Sequence, residues 1–198
     1  MQQQSHKRIL ILASTSSYRK LLLERLGLPF RVHAPRVDET PCASEAADHL
    51  VARLAHDKAH AIAQQFPAAI VIGSDQLAVC GNRIVGKPGS VENATRQLRE
   101  FSGQLIQFLT AVAVICEESG FEFRQTVVTE ISFRDLSDAE ILRYVEKDVP
   151  LDCAGSFKSE SGGISLMNAM RSDDPTAIVG LPLICISKAL RQAGYKVP

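Results

Sequence analysis

The chain has 198 residues, a length that predicts one domain with its own buried core. Apolar residues make up 45% of it and charged residues 22%, which excludes the disordered, collagen-like and coiled-coil classes. Its 22 basic and 22 acidic residues leave a formal charge of zero. This argues against generic binding to nucleic acid or to an anionic membrane, so any anionic ligand must be held by a few placed charges.

The first half of the chain alternates short apolar runs with helical patterns. The predicted elements are a strand at 9–13, a helix at 19–26 capped by the hydroxyls of 14–17, a strand at 30–34, a helix at 45–66 and a strand at 69–72. We expect this last strand to end at Gly73-Ser74-Asp75, with a further extended segment at 77–80 before a turn at 81–82.

The second half contains two β-rich segments between helices. The predicted elements are a helix at 91–101, a hairpin of strands 104–116 and 121–133, a helix from 137 to about 147 and a last helix at 182–193. Ser137 and Glu140 have the spacing of a capping box. Strands alternate with helices except at the hairpin, which predicts an α/β fold with a mixed sheet.

No segment is long and apolar enough to suggest a membrane span or a signal peptide. The longest apolar stretch, 111–116, is far short of the ~20 residues that cross a bilayer, and the run at 9–13 is too short for a signal-peptide core. We therefore expect a cytoplasmic protein without a membrane partner. The five cysteines are odd in number and include no Cys-x-x-Cys pair, so we expect reduced packing residues.

Several residues have the chemistry of a phosphate site. Ser14 and Arg19 stand where a strand gives way to a helix, so backbone N–H groups, hydroxyls and a guanidinium converge there. The alternative is a well-capped first helix with a surface arginine. Lys58 falls in the middle of the apolar stripe of the long helix, where a lysine must extend to solvent or meet an anion.

Two other patterns imitate known sites. Gly81 to Lys87 has the spacing of a P-loop, but Pro88 replaces the required hydroxyl residue and disfavours a helix start at Lys87. Lys87 remains either a phosphate ligand or an exposed turn residue. His56 and His60 have the i, i+4 spacing of some zinc ligands, but with His49 they are predicted to face solvent opposite Lys58, and no third ligand is evident.

Carboxylates complete the predicted site. Asp38-Glu39 follows a strand, and Asp75 is predicted at the carboxyl end of a buried strand, the edge where open α/β sheets bind ligands. Carboxylate oxygens suit Mg²⁺ or Mn²⁺, which bridge proteins and phosphates. Together with Arg19, Lys58 and Lys87 they form a set of opposite charges suited to a metal-bound polyphosphate.

Six ordered motifs resemble the Maf family of nucleoside triphosphate pyrophosphatases. They are Leu12-Ala-Ser-Thr-Ser-Ser-Tyr-Arg19, Val37-Asp-Glu39, Leu54-Ala-His-Asp-Lys-Ala59, Gly73-Ser-Asp-Gln76, Gly86-Lys-Pro88 and Val179-Gly-Leu-Pro182. The resemblance covers nearly the whole chain. It implies a two-lobed mixed β-sheet with flanking helices, similar to inosine triphosphate pyrophosphatases, as one domain over residues 1–198 with a cleft between the lobes. It also implies a homodimer, although no exposed apolar stripe in the sequence marks the interface.

The same resemblance implies a metal-dependent cleavage of a nucleoside triphosphate to monophosphate and diphosphate. Asp75 corresponds to the proton acceptor of the family. Our hypothesis is that Glu39 and Asp75 hold Mg²⁺ or Mn²⁺. Ser14, Arg19, Lys58 and Lys87 would then bind the phosphates, and Asp75 would activate water.

Three positions differ from the branch of the family that acts on thymidine and uridine triphosphates. That branch usually has Arg, Thr and Gln where this chain has Tyr18, Gln76 and Glu160, which resembles the branch acting on 7-methyl-GTP. Methylation at N7 gives guanine a positive charge, which favours an aromatic face and a carboxylate. Tyr18 stands where that branch often has Trp, so its alternative is a helix-surface aromatic residue.

Three alternative functions stay open at this point. A pyrimidine-specific pyrophosphatase would keep the mechanism with another base, and a nucleotide-binding regulator of cell division would use the same pocket without turnover. A cap-binding module for RNA is disfavoured by the neutral charge and by the presence of only three Tyr and no Trp.

Overall fold

A computed structural model describes residues 8–197 of the chain, and this part forms one mixed sheet with helices on both faces. Its strands are β1 (Leu10–Ala13), β2 (Phe30–His33), β3 (Ile70–Cys80), β4 (Arg83–Val85), β5 (Leu105–Cys116), β6 (Phe121–Phe133) and β7 (Met167–Ser172). Its α-helices are α1 (Ser17–Glu24), α2 (Ala47–Ala63), α3 (Val91–Phe101), α4 (Asp138–Asp148) and α5 (Leu183–Gln192). The predicted α/β class with a mixed sheet is confirmed.

The sheet runs in the order β2-β1-β3-β5-β6-β7, with β4 paired to β3 beside this path. β1 is parallel to both β2 and β3, whereas β3, β5, β6 and β7 pair antiparallel. The β5–β6 ladder extends from Leu105 opposite Ser132 to Cys116 opposite Phe121, which confirms the predicted hairpin.

The expectation that β3 ends at Gly73-Ser74-Asp75 is wrong. The strand continues to Cys80 because these three residues keep pairing with Ala113, Val112 and Ala111 of β5. Pairing with β1 does stop at Gly73, opposite Ala13. Asp75 therefore lies within a strand, two residues beyond the carboxyl end of its parallel neighbour, and still faces the expected edge of the parallel part.

Side-chain alternation along the strands divides the first core region between the two faces of the sheet. Leu10 and Leu12 pack with α1 and α5 on one face, whereas Ile11 and Ala13 pack with α2 on the other. Both faces of β1 are thus covered, which explains why its sequence is a continuous apolar run.

A second core region lies under α3 and α4, around the far ends of β3, β5 and β6. Phe101, Phe108, Phe133 and Phe157 form its centre, with ring centroids 5.3–5.7 Å apart. Two core regions that share continuous strands agree with a two-lobed sheet. The assignment of residues 1–198 to one domain stays a prediction, and residues 1–7 and 198 lie outside the described part.

Gly73 brings α2 against β3 at a distance that no other residue allows. A Cβ on Gly73 would lie 2.3 Å from the Ala55 carbonyl oxygen and 2.6 Å from the Ala59 nitrogen, both backbone atoms of α2. Lys58 is the residue just before Ala59, so this close approach sets the distance from Lys58 to β3.

Several element boundaries differ from the prediction for local reasons. α2 begins at Ala47 because the Glu45 side chain accepts hydrogen bonds from the Cys42 nitrogen and from Arg53. It ends at Ala63 because Gln65 and Phe66 close a tighter turn before Pro67. α3 and the Ser137–Glu140 capping box are confirmed, whereas β7 was not predicted.

None of the helices within residues 8–197 combines the length and the apolar content needed to cross a membrane. The five cysteines all lie in this part and are unpaired. Cys116 and Cys185 are buried, but Cys42 is exposed in the segment before α2, so the prediction that all five are packing residues is wrong for Cys42.

Candidate active site

The predicted site residues meet in a cleft of about 510 Å³ that lies over the carboxyl end of β1 and the middle of β3. A smaller pocket of about 90 Å³ adjoins it and shares Tyr18, Arg19, Gln76 and Lys87 with its lining. The larger cavity is lined by eight of the predicted residues, Ser14, Tyr18, Arg19, Glu39, Lys58, Asp75, Gln76 and Lys87. Glu160 lines the smaller pocket, so the structure brings all nine together.

The turn from β1 into α1 builds one wall of the cleft. Ser14 is buried, and its Oγ accepts a hydrogen bond from the Ser16 nitrogen at 3.1 Å. Ser16 caps α1 by accepting from the Arg19 nitrogen. The capping interpretation and the phosphate interpretation of this turn are therefore compatible, because different atoms serve each.

Arg19 is held from two sides. Its Nε donates to the Gly180 carbonyl at 2.9 Å, and its Nη1 lies 3.5 Å from Ser14 Oγ. Desolvation lowers the pKa of the guanidinium, and the charges of Asp75 and Glu39 oppose that effect. A guanidinium is basic enough to stay charged despite this lowering of its pKa, so the cleft contains a permanent cation.

Lys58 occupies the centre of the cleft. Its Nζ lies 2.6 Å from Asp75 Oδ1 and 2.7 Å from Glu39 Oε1. Its side chain is only 8% exposed, as the helical period predicts for a position in the apolar stripe of α2. The anions that Lys58 meets in the structure are these two carboxylates.

The same contact keeps Glu39 charged. Burial alone would raise the pKa of Glu39, but the hydrogen bond from Lys58 and the charges of Lys58, Lys87 and Arg19 together hold it below its ordinary value. Among residues 8–197, no three His, Cys, Asp or Glu side chains gather in a metal-binding group. Within this part of the chain, Glu39 and Asp75 are the carboxylates that meet at Lys58, and Asp152 lines the same cleft.

Gln76 binds the turn at 177–180, which is distant in sequence, to the sheet. Its Nε2 lies within 3.0 Å of Thr110 Oγ1 and of the carbonyls of Ala177 and Ile178. Ser74 is buried beside it, with its Oγ 2.9 Å from the Gly180 carbonyl. The turn at 177–180 is therefore anchored through its main chain to side chains of β3 and β5.

The far end of the cleft is formed by the segment 150–166. Lys158 lies over the Tyr18 ring, with Nζ 5.7 Å from the centroid, and donates to the carbonyls of Asp148 at 2.9 Å and Val149 at 3.3 Å. Burial raises the pKa of Cys153 there to about 12. Its thiol stays protonated at neutral pH and is not a nucleophile.

A model of the Maf-like protein family matches residues 9–193. The chain belongs to this family. Three curated relatives, each called 7-methyl-GTP pyrophosphatase, align over nearly its whole length. The relative from Aromatoleum aromaticum is 52% identical over 189 residues, 96% of this chain and 97% of the relative. The relative from Polaromonas sp. is 51% identical over 94% of this chain and 85% of the relative. The relative from Xanthomonas oryzae pv. oryzae is 50% identical over 96% of this chain and 98% of the relative.

The family resemblance expected from the six motifs is thus confirmed. Their residues lie around one cleft, although the first and last motifs are separated by more than half of the chain. Gly180, in the last of them, has a φ of +109°, and its carbonyl orients Arg19.

Two cleft residues were missed by the sequence argument. Asp152 lines both cavities and is largely exposed, and Lys158 covers Tyr18. Both precede Glu160 by eight residues or fewer, so the prediction at Glu160 was the available signal. The sequence does not show where the Lys158 side chain points.

The histidines of α2 lie outside the cleft. His49 is exposed, but His56 and His60 are half-buried and stacked, with ring centroids 5.5 Å apart. They face Glu122 and Glu117 at 3.8 and 3.5 Å. The prediction that all three face solvent is therefore wrong for these two, because the β5–β6 hairpin reaches up to α2.

Lys87 is exposed on a loop, and no P-loop forms, since α3 starts at Val91.

Proposed function

We propose that this protein hydrolyses 7-methyl-GTP to 7-methyl-GMP and diphosphate. The observation that carries the proposal is the cleft itself, which has a highly charged end around Lys58 and Asp75 and an aromatic and acidic end around Tyr18 and Glu160. The names of relatives at about 50% identity support the same substrate.

The charged end fits a divalent cation. Glu39 Oε1 and Asp75 Oδ1 converge on one point, since each lies within 2.7 Å of the same nitrogen. Mg²⁺ is typically bound by one or two protein carboxylates, with substrate phosphates and water as its other ligands. We propose that Glu39 and Asp75 hold Mg²⁺ or Mn²⁺, which would supply positive charge to the triphosphate.

The residues of the chain then have separate roles. Arg19, Lys58 and Lys87 neutralise the phosphates, and Ser14 donates its hydroxyl hydrogen to them. Asp75 accepts a proton from water, whose oxygen forms the new bond to the α-phosphorus. The bond to the bridging oxygen breaks, and diphosphate leaves with that electron pair.

The acidic end fits a base that carries a positive charge. Lys158 Nζ lies over one side of the Tyr18 ring, so the other face would stack on the base, and Glu160 would accept hydrogen bonds from it. Gln76 contributes as an acceptor through Oε1, because its two N–H groups face three protein acceptors within 3.0 Å. This arrangement favours 7-methylguanine over a neutral base.

The test is diphosphate release by the full chain with Mg²⁺ or Mn²⁺ and a panel of 7-methyl-GTP, GTP, dTTP, UTP, CTP and ITP. Preference for 7-methyl-GTP is the expected result. Preference for pyrimidine nucleotides would keep the mechanism and overturn the base assignment. Binding without diphosphate release from any nucleotide would favour the regulator.

Three broader parts of the proposal stay predictions. They are a cytoplasmic location, a homodimer and the absence of a nucleic-acid or membrane partner. Sedimentation equilibrium of the purified chain checks the second of these directly.

A further inference from the structure

The strongest unexplained feature of the cleft is a buried lysine that holds two acidic side chains at once. The Lys58 side chain is 8% exposed and that of Asp75 is 11% exposed. The two contacts of its ammonium, at 2.6 and 2.7 Å, are at the short end for charged hydrogen bonds. A lysine that only binds phosphate would not need contacts with two carboxylates.

Lys58 uses the same carboxylates that the proposed function assigns to the cation. The contacts involve one oxygen of each, Asp75 Oδ1 and Glu39 Oε1. Mg²⁺ binds oxygen at about 2.0–2.1 Å, so a cation on these two oxygens would lie at or beside the position of the ammonium nitrogen. Like charges at that separation repel each other.

The other cations of the cleft are placed differently. Arg19 is directed to the Gly180 carbonyl and to Ser14, and Lys87 is exposed on its loop. Within the described part of the chain, Lys58 is the basic side chain in ion-pair contact with both Glu39 and Asp75.

We propose that Lys58 is a built-in counter-ion that competes with the divalent cation for Glu39 and Asp75, and that it moves to the triphosphate when the cation binds. This inference rests on the proposed function. The four-carbon stem of Lys58 allows the ammonium to change partners while the Cα of Lys58 stays fixed beside β3.

The exchange couples the two ligands. An ammonium that has left both carboxylates is a buried charge without a partner, which is costly until a phosphate takes their place. Cation binding without nucleotide is therefore weak, and a triphosphate strengthens it. By linkage, the cation strengthens triphosphate binding by the same factor.

The test is a titration of the full chain with Mn²⁺, monitored by electron paramagnetic resonance of the free ion. Without nucleotide, Lys58→Met should bind Mn²⁺ about tenfold more tightly than the wild type. The matched control Lys20→Met removes an exposed charge on α1 outside the cleft lining and should change the affinity by no more than about threefold. Unchanged or weaker binding by Lys58→Met would overturn the proposal, because Lys58 would then arrange the carboxylates for the cation.

The coupling provides a second measurement. A saturating α,β-methylene analogue of GTP should strengthen Mn²⁺ binding to the wild type much more than to Lys58→Met. Equal strengthening in both proteins would overturn the proposed exchange.

A poorly folded Lys58→Met variant does not end the test, since Lys58→Gln keeps a polar side chain and has the same expected direction. A crystal structure of the wild type with Mn²⁺ and the analogue should also show Nζ more than about 4 Å from Asp75 Oδ1, beyond ion-pair distance. Retention of both Lys58 contacts beside a bound ion would overturn the inference. Failure of the metal proposal itself has a different signature, namely diphosphate release that persists in excess EDTA.

Discussion

The two ends of the cleft are built from different kinds of structure. At the charged end, Arg19, Lys58 and Asp75 belong to α1, α2 and β3, which pack on or within the parallel part of the sheet. At the acidic end, Glu160 belongs to the segment 150–166, which contains turns and short 3₁₀ helices at Ala154–Ser156 and Gly162–Leu166.

This difference in structure suggests that the reaction and the choice of base depend on different parts of the molecule. Positions on regular elements are fixed by register and packing, so the Cα atoms of the charged residues are held in place. Exposed positions on a connecting segment, such as Glu160, change with little effect on the core. We therefore expect the reaction to depend on the sheet and the base preference to depend on the segment 150–166.

The largest effect is expected at the charged end. Asp75→Asn keeps the size of the side chain but removes a proton acceptor and a carboxylate ligand. Diphosphate release should fall by about 10³-fold, measured as kcat on 7-methyl-GTP with Mg²⁺. Asp48→Asn, an exposed change on α2, is the control and should leave the rate unaltered. Turnover of Asp75→Asn within about tenfold of the wild type would exclude Asp75 as the base.

A smaller and more selective effect is expected at the acidic end. Glu160→Gln removes a charge that favours the cationic base, so the ratio of 7-methyl-GTP to UTP turnover should fall by about tenfold. UTP turnover itself should stay near the wild-type value. The exposed Glu146→Gln on α4 is the control. A ratio that does not change would show that Glu160 does not recognise the base.

Lys158→Met tests whether the acidic end is positioned by the α4 carbonyls. The change removes the hydrogen bonds to Asp148 and Val149 and the cation above Tyr18. KM for 7-methyl-GTP should rise by about threefold while kcat changes little, and Lys158→Arg should restore part of the affinity. Lys188→Met removes a similar contact with Phe123, 5.8 Å from its centroid, and is the control. A loss in kcat alone would contradict this role.

The smallest effect concerns pH. Hydrogen bonds from the Ser137 nitrogen and hydroxyl and from Arg134 lower the pKa of Glu140, at the start of α4, from 4.5 to about 2. A lowered folded-state pKa means that the stabilisation is complete above pH 4.5 and is lost as the pH falls towards 2. Thermal melts across this range should show a smaller fall in Tm for Glu140→Gln than for the wild type. Parallel curves would show that the capping box does not contribute to acid stability.

Much of the fold follows from local patterns in the sequence. The capping box fixes the start of α4, and the helical period places Lys58 in the buried stripe of α2. Strand β7 could not be predicted in this way, because its residues are mostly exposed and it is defined by pairing with β6. The continuation of β3 through Asp75 likewise depends on β5, a partner more than thirty residues away.

The candidate site was predictable in its members and less so in its contacts. Charge and hydroxyl residues at element ends identified Ser14, Arg19 and Asp75. The hydrogen bond from Arg19 to the Gly180 carbonyl joins positions 161 residues apart, and no local pattern encodes it. The pairing of Lys58 with both carboxylates also required the fold, since it depends on how closely Gly73 lets α2 approach β3.

The turn at 177–180 has a consequence for how this gene tolerates mutation. Its anchors to Arg19, Ser74 and Gln76 are main-chain carbonyls, which every amino acid carries. Codon changes at Ala177 or Ile178 therefore leave the acceptors chemically intact and act only through side-chain packing. Gly180 is different, because its φ of +109° is rarely adopted by other residues and an added Cβ would lie 3.4 Å from Arg19 Nε. A change of side chain at these two buried positions is thus limited by packing, whereas a change at Gly180 also alters the path of the main chain.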